Sequence, residues 1–203
     1  AVRRDGDDAL RAYTWKWDRH DLDQTGWTIG RDVCERVFRD LDPDLRMALE
    51  LAARRIATYH ERQLPTDSDY VDGAGVRLGA RWRAVESAGI YVPGGRATYP
   101  SSVLMNAIPA AVAGVSRVVM ATPMPDGIAN PLVLAAAYLA GIDEVRPIGG
   151  AQAVAALAYG TGSIPRVDVI TGPGNAWVAE AKRQVYGVVG IDMVAGPSEI
   201  VVL

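Results

Sequence analysis

Residues 167–184, Val-Asp-Val-Ile-Thr-Gly-Pro-Gly-Asn-Ala-Trp-Val-Ala-Glu-Ala-Lys-Arg-Gln, constrain the fold more than any other stretch of this chain. Val167 to Thr171 reads as a short buried strand, β-branched and apolar with one polar break. Gly172-Pro173-Gly174 must turn, and Asn175 is a favoured helix N-cap. Ala176 to Tyr186 then has helical spacing, with Trp177, Ala181 and Val185 on one face. A strand, a glycine turn and a helix start bring backbone N–H groups and the positive end of a helix dipole together, which suits a phosphate or another anion. The same pattern also serves as a tight connection that binds nothing.

The unit recurs upstream. Gly89 to Val92 reads as a strand ended by Pro93-Gly94-Gly95. Ser101 or Ser102 can cap a helix running to about Gly114, which Pro109 should kink. Arg117 to Thr122 is a strand, Ala129 to Ala140 a helix and Glu144 to Ile148 a strand. Gly149-Gly150 then opens the helix Ala151 to Tyr159, and Glu199 to Leu203 reads as a final strand. Nearly continuous apolar strands alternating with helices predict an α/β fold: a parallel-sheet, Rossmann-like domain with covering helices.

Ligands of such sheets bind beyond the carboxyl ends of the strands. Three glycine turns fall there, each with a residue able to orient a ligand: Tyr91, Gln152 and Asn175. A shared cleft is one reading; glycines recurring wherever strands feed helices tightly is the other. No G-x-G-x-x-G with an acidic residue about 20 positions on is present, so a dinucleotide would have to be held differently.

The first part of the chain differs in character. More than half of the charged residues fall within residues 1–64, which read as a helical N-terminal segment with helices at Asp7 to Trp17, Gly30 to Asp40 and Asp42 to Gln63. Asp42-Pro43 is a start signal, a cap followed by proline at the first helical position. Residues 65–100 read as a linker, a half-exposed strand or hairpin from Val76 to Val85, and the first strand of the α/β unit. Residues 101–203 form the Rossmann-like region, incomplete at its C-terminal end. Trp15 and Trp17 cannot share a helical face, so with Tyr13 and Trp27 they are expected to pack between helices rather than to form a stacking platform.

The 49% apolar and 22% charged residues describe an ordinary globular protein, and the net charge of −3 argues against a nucleic-acid surface. Cys34 is the single cysteine. It excludes an internal disulfide and a cysteine-cluster metal site, and its helical context suits a small core residue. His20 and His60 have no second ligand at helical spacing. Leu132 to Ile142 is well short of the ~20 residues that span a bilayer, and no secretory signal opens the chain, so no membrane is expected and the cytoplasm is the default. Starting at Ala1 and stopping within Ile200-Val201-Val202-Leu203, the chain reads as truncated at both ends.

Five motifs carry a family resemblance: Val85-Glu-Ser-Ala-Gly-Ile-Tyr-Val-Pro-Gly-Gly95, Gly149-Gly-Ala-Gln-Ala153, Thr171-Gly-Pro-Gly-Asn175, Ala181-Lys-Arg-Gln184 and Ile191-Asp-Met-Val-Ala-Gly-Pro-Ser-Glu199. In this order and at these separations the chain resembles histidinol dehydrogenase, strongly from about residue 80 and weakly up to residue 64. The resemblance implies a zinc-dependent homodimer that oxidises L-histidinol to L-histidine in two NAD-linked steps, through the aldehyde, at the end of histidine biosynthesis. It implies NAD contacts at Tyr91, Gln152 and Asn175 and a substrate contact at Ser198. The family's zinc ligands and catalytic Glu-His pair lie downstream of Gly-Pro-Ser-Glu, so no catalytic or metal residue is expected in this chain. A relative in the same superfamily acting on another small alcohol, such as a sulfonated diol, and a non-catalytic nucleotide-binding module are the alternatives.

Overall fold

The computed structural model describes residues 1–94, 99–142, 144–194 and 201–202. Four helices come first: α1 (Val2–Asp18), the single turn α2 (Leu22–Thr25), α3 (Arg31–Arg39) and α4 (Pro43–Glu61). α1 is broken at Gly6, whose φ of 54° suits glycine, so its regular part runs from Asp7 as the spacing predicts. Asp42 caps α4 by accepting the N–H groups of Asp44 and Leu45, and Pro43 takes the first helical position.

A hairpin follows, β1 (Ser68–Val71) antiparallel to β2 (Arg77–Ala80). Asp72 closes its turn, with Oδ1 accepting from the Ala74 and Val76 N–H groups at 2.8 and 2.9 Å. The partner strand lies in the stretch whose composition suggests only a link. Both strands are exposed along their whole length, not on alternate residues as the pattern of apolar positions suggests.

The remainder alternates: β3 (Ser87–Tyr91), α5 (Pro100–Val112), β4 (Arg117–Ala121), α6 (Pro131–Leu139), β5 (Glu144–Arg146), α7 (Gly150–Tyr159), β6 (Val169–Thr171), α8 (Ala176–Val185) and β7 (Gly190–Ile191). The strands form one parallel sheet in the order β5-β4-β3-β6-β7. β3, first in sequence, is therefore central, and all five of its residues are buried. Gly89 is the tight point of this strand, where a Cβ would lie 3.0 Å from Val167 and 3.1 Å from Leu157.

Two cores flank the sheet. On one face α7 and α8 pack with α1, through Leu10, Val154, Leu157, Ile164 and Val178. On the other, α5 and α6 pack with α3 and α4, through Cys34, Val103, Leu104, Leu134 and Ile142. The N-terminal helices thus complete both faces. They also cover the β5 edge: the Ile29 N–H donates to Val145 O at 2.8 Å, and Arg146 donates to Trp27 O and Thr28 Oγ1. Cys34 is fully buried, and burial pushes its thiol up to about 11, as suits a core residue.

Several details differ from the sequence reading. α5 begins at Pro100, with Tyr99 as a cap that makes no side-chain bond; proline at the first helical position fixes the start in place of Ser101 or Ser102. β5 ends at Arg146, because the Ile148 N–H turns back to Arg146 O at 2.8 Å. Trp15 and Trp17 are more than 60% exposed rather than packed between helices. The buried stripe of α1 is Leu10, Thr14 and Asp18, which turns both indoles outward, while Tyr13 and Trp27 do pack on the core. The strand expected at Glu199 to Leu203 lies outside the described residues except for Val201 and Val202, which belong to no strand.

Candidate functional site at the carboxyl edge of the sheet

The sheet order reverses between β3 and β6. The chain leaves β3 through α5 towards β4 and leaves β6 through α8 towards β7, on opposite faces, which makes this the topological switch point, where sheets of this kind bind ligands. Tyr91 ends β3 at this point. It is 4% exposed, and its hydroxyl accepts the Gly150 N–H at 3.0 Å, which ties β3 to the first turn of α7. Burial raises the Tyr91 pKa, outweighing the Gly150 hydrogen bond, so the phenol stays neutral and keeps its own proton to donate.

Gln152 is half-buried in the same first turn, two residues on. Gly150 has φ +67°, and a Cβ there would lie 2.7 Å from Gln152 Oε1, so the glycine makes room for the folded-back amide. Pro123, after β4, draws the first two glycine turns together: a Cβ on Gly94 would lie 2.4 Å from its carbonyl oxygen, and one on Gly149 would lie 2.3 Å from its Cβ. Nothing in the spacing singles out Pro123.

The third turn is pressed on the same tyrosine. Gly172 has φ +113°, and a Cβ there would stand 2.1 Å from Tyr91 O. Its N–H donates to Asp192 Oδ2 at 2.9 Å, and its carbonyl accepts from Lys182 Nζ. Asn175 caps α8 by accepting from the Trp177 and Val178 N–H groups at 3.1 Å each. Three of the amides that suggest an anion cradle are therefore taken by protein oxygens, and this turn is braced rather than open.

The buried face of α8 is Val178, Lys182 and Val185, and Trp177 is 75% exposed beside Asn175. The apolar face expected through Trp177 is one residue out of phase. The cause is Lys182: Asp192 at 2.7 Å neutralises its ammonium, and the stem is buried where a lysine reads as surface. Lys182 and Asp192 are the members of this site that spacing alone does not reveal. The sole signal is that a lysine interrupts an otherwise apolar i, i+4, i+7 stripe.

Tyr91 and Gln152 thus meet through Gly150, Tyr91 meets the Gly172 turn through its carbonyl, and Asn175 stands exposed at the far end of that turn. Ser198 lies outside the described residues. Among the described residues no group of three or more His, Cys, Asp or Glu side chains could hold a metal ion. His20 is buried with Nε2 against Thr25 Oγ1, and His60 meets the Tyr59 ring edge-on, so neither contributes to these turns. Two shallow concavities, of about 580 and 520 Å³, lie along α4 on the opposite side of the sheet from α8; they are helix surface, remote from these turns. No described helix is long and apolar enough to cross a membrane.

Along its whole length the chain is similar to known proteins. The histidinol dehydrogenase family model matches residues 1–203. The chain is 61% identical over 202 residues to histidinol dehydrogenase of Zymomonas mobilis subsp. mobilis, covering 100% of this chain and 47% of that protein. Against the Rhodospirillum rubrum enzyme the identity is 60%, covering 100% and 46%. The crystal structure of histidinol dehydrogenase from Elizabethkingia anophelis superposes with a TM-score of 0.90 at 36% identity, over 97% of this chain and 46% of that one. The chain spans about half the length of the relatives it matches. It belongs to the histidinol dehydrogenase family.

Proposed function

We propose that this chain is the NAD-binding part of an enzyme that oxidises L-histidinol to L-histidine through the aldehyde, completing histidine biosynthesis as a cytoplasmic homodimer. The observation that carries this is the identity of about 60% along the whole chain to histidinol dehydrogenases, joined to the meeting of the motif turns at Tyr91.

On this reading a dinucleotide is held by side chains rather than by a phosphate loop. Tyr91 presents a neutral phenol at the switch point, Gln152 an amide folded over Gly150, and Asn175 an amide whose oxygen is fixed by the helix it caps, which leaves its NH₂ free to turn to a ligand. Bound NAD supplies the hydride acceptor for both oxidations. The role of these three residues is to orient it, and that of Ser198 is to touch the substrate.

The described residues do not fit a zinc site. We assign its ligands and the Glu-His pair to the part of the family fold that this chain does not span. Alcohol oxidation needs a base as hydride leaves, and aldehyde oxidation needs an activated water.

The test is NADH production from L-histidinol by the full-length protein with zinc, alongside Gln152→Ala and Asn175→Ala. Turnover with a raised KM for NAD in both variants is expected. Turnover of a sulfonated diol but not of L-histidinol would move the substrate, and unchanged KM for NAD would remove these residues from the cofactor site.

A further inference from the structure

One buried charge in the described structure has no part in the reading above. Lys182, on α8, has a side chain 5% exposed, and its ammonium is shared between Gly172 O and Asp192 Oδ1, the latter at 2.7 Å. Asp192 returns the grip: Oδ2 takes the Gly172 N–H at 2.9 Å, while Oδ1 also takes the Met193 N–H at 2.7 Å. Gly172 is therefore held at its donor and its acceptor by the two ends of one ion pair.

A buried pair of this kind adds little stability over an apolar replacement of the same volume, because both ions lose their water. Its effect is geometric. β7 is two residues long, so few ladder bonds fix the chain at Asp192. The ion pair does so, and it locks the Gly172 turn against Tyr91 O on one side and the start of α8, with Asn175, on the other.

We infer that Lys182 and Asp192 are positioning residues for the cofactor, acting as a clamp that holds the Gly172-Pro173-Gly174 turn where Tyr91 and Asn175 can engage one ligand together. This rests on the NAD reading given above. Neither side chain needs to touch the dinucleotide. Without the ammonium, Gly172 O loses its partner and the Asp192 carboxylate, 29% exposed, turns towards water, so the turn relaxes and the two contacts no longer share one geometry.

The experiment uses the full-length protein with Lys182→Met, which keeps the unbranched stem and removes the ammonium, Asp192→Asn, and the double variant. NADH affinity is read by fluorescence titration, KM for NAD and for L-histidinol from turnover, and amide hydrogen exchange across residues 169–178 from the protein without cofactor. Each single variant is expected to weaken NADH binding about tenfold, to raise KM for NAD more than KM for L-histidinol, and to speed exchange in the turn. The double variant is expected to be no worse than the singles, because both break one unit. NADH affinity within twofold of the parent in a folded variant overturns the inference, as does additive loss in the double variant. If Lys182→Met does not fold, Asp192→Asn decides by the same readings. Absence of NADH binding in the parent protein sinks the NAD reading and this inference with it, while the exchange data still report whether the pair holds the turn.

Discussion

Tyr91 and Gly150, 59 residues apart in sequence, are joined by one hydrogen bond of 3.0 Å that fastens the central strand to the helix bearing Gln152. Phenylalanine at position 91 keeps the ring and leaves a half-buried N–H without its acceptor. Tyr91→Phe is expected to lower stability by about 1–3 kcal/mol and to weaken NADH binding. Urea denaturation and fluorescence titration of the full-length protein measure the two effects.

Asn175 has two tasks that substitution can separate. Its Oδ1 caps α8, and its amide NH₂ is what a ligand meets. Asn175→Asp keeps an oxygen acceptor at the helix start, so the melting temperature holds, while the lost donor and the added negative charge weaken binding of a dinucleotide. Asn175→Ala loses both, at a stability cost of about 1 kcal/mol. Equal NADH affinity in parent and Asn175→Asp would remove the amide from the site.

Glu144 sets a pH dependence. Burial works against its carboxylate, but hydrogen bonds from Arg146 and Arg117 outweigh it and hold the group below its ordinary value of 4.5. A depressed folded-state pKa gives stability that is present above the unfolded value and is lost as pH falls through the folded one. The stability difference between the parent and Glu144→Gln is therefore full at pH 6–7 and shrinks below about pH 4.5, as urea midpoints across that range would record. A constant difference would mean that the carboxylate charge contributes nothing.

Cys34 reports on the core. It is fully buried with its thiol pushed up to about 11, so at pH 8 it is both inaccessible and protonated. Maleimide labelling followed by peptide mapping should find it unmodified in native full-length protein and modified in denaturant. Rapid native labelling would mean that the α3–α6 contact opens readily.

The strand and helix pattern from β3 to α8 was legible because apolar strands end in glycine turns, after β3, β5 and β6, and Asn175 caps α8, as Asp42 and Pro43 mark the start of α4 upstream. The start of α6 lies at Asn130 and Pro131 rather than at Ala129, where the pattern begins. Tyr91, Gln152 and Asn175 stood out because each flanks one of those glycine turns. What stayed hidden depends on contacts distant in sequence. Lys182 reads as a surface residue until Asp192 is seen beside it. Pro123 matters only because two glycines press on it. Trp15 and Trp17 read as packing aromatics because composition carries no information on which arc of α1 meets α7.

The packing of α1 on α7 also bears on how the molecule comes into being. Asp7 accepts hydrogen bonds from Ser163, 156 residues later, and Leu10 is fully enclosed with Leu157. At ribosomal speeds that separation is on the order of ten seconds of synthesis. Until then the apolar side of α1 lacks the helix it packs on most closely, while β3, β4 and β5 can already pair. α1 is thus secured later than the strands that follow it in sequence, and its apolar side stays sticky until α7 emerges.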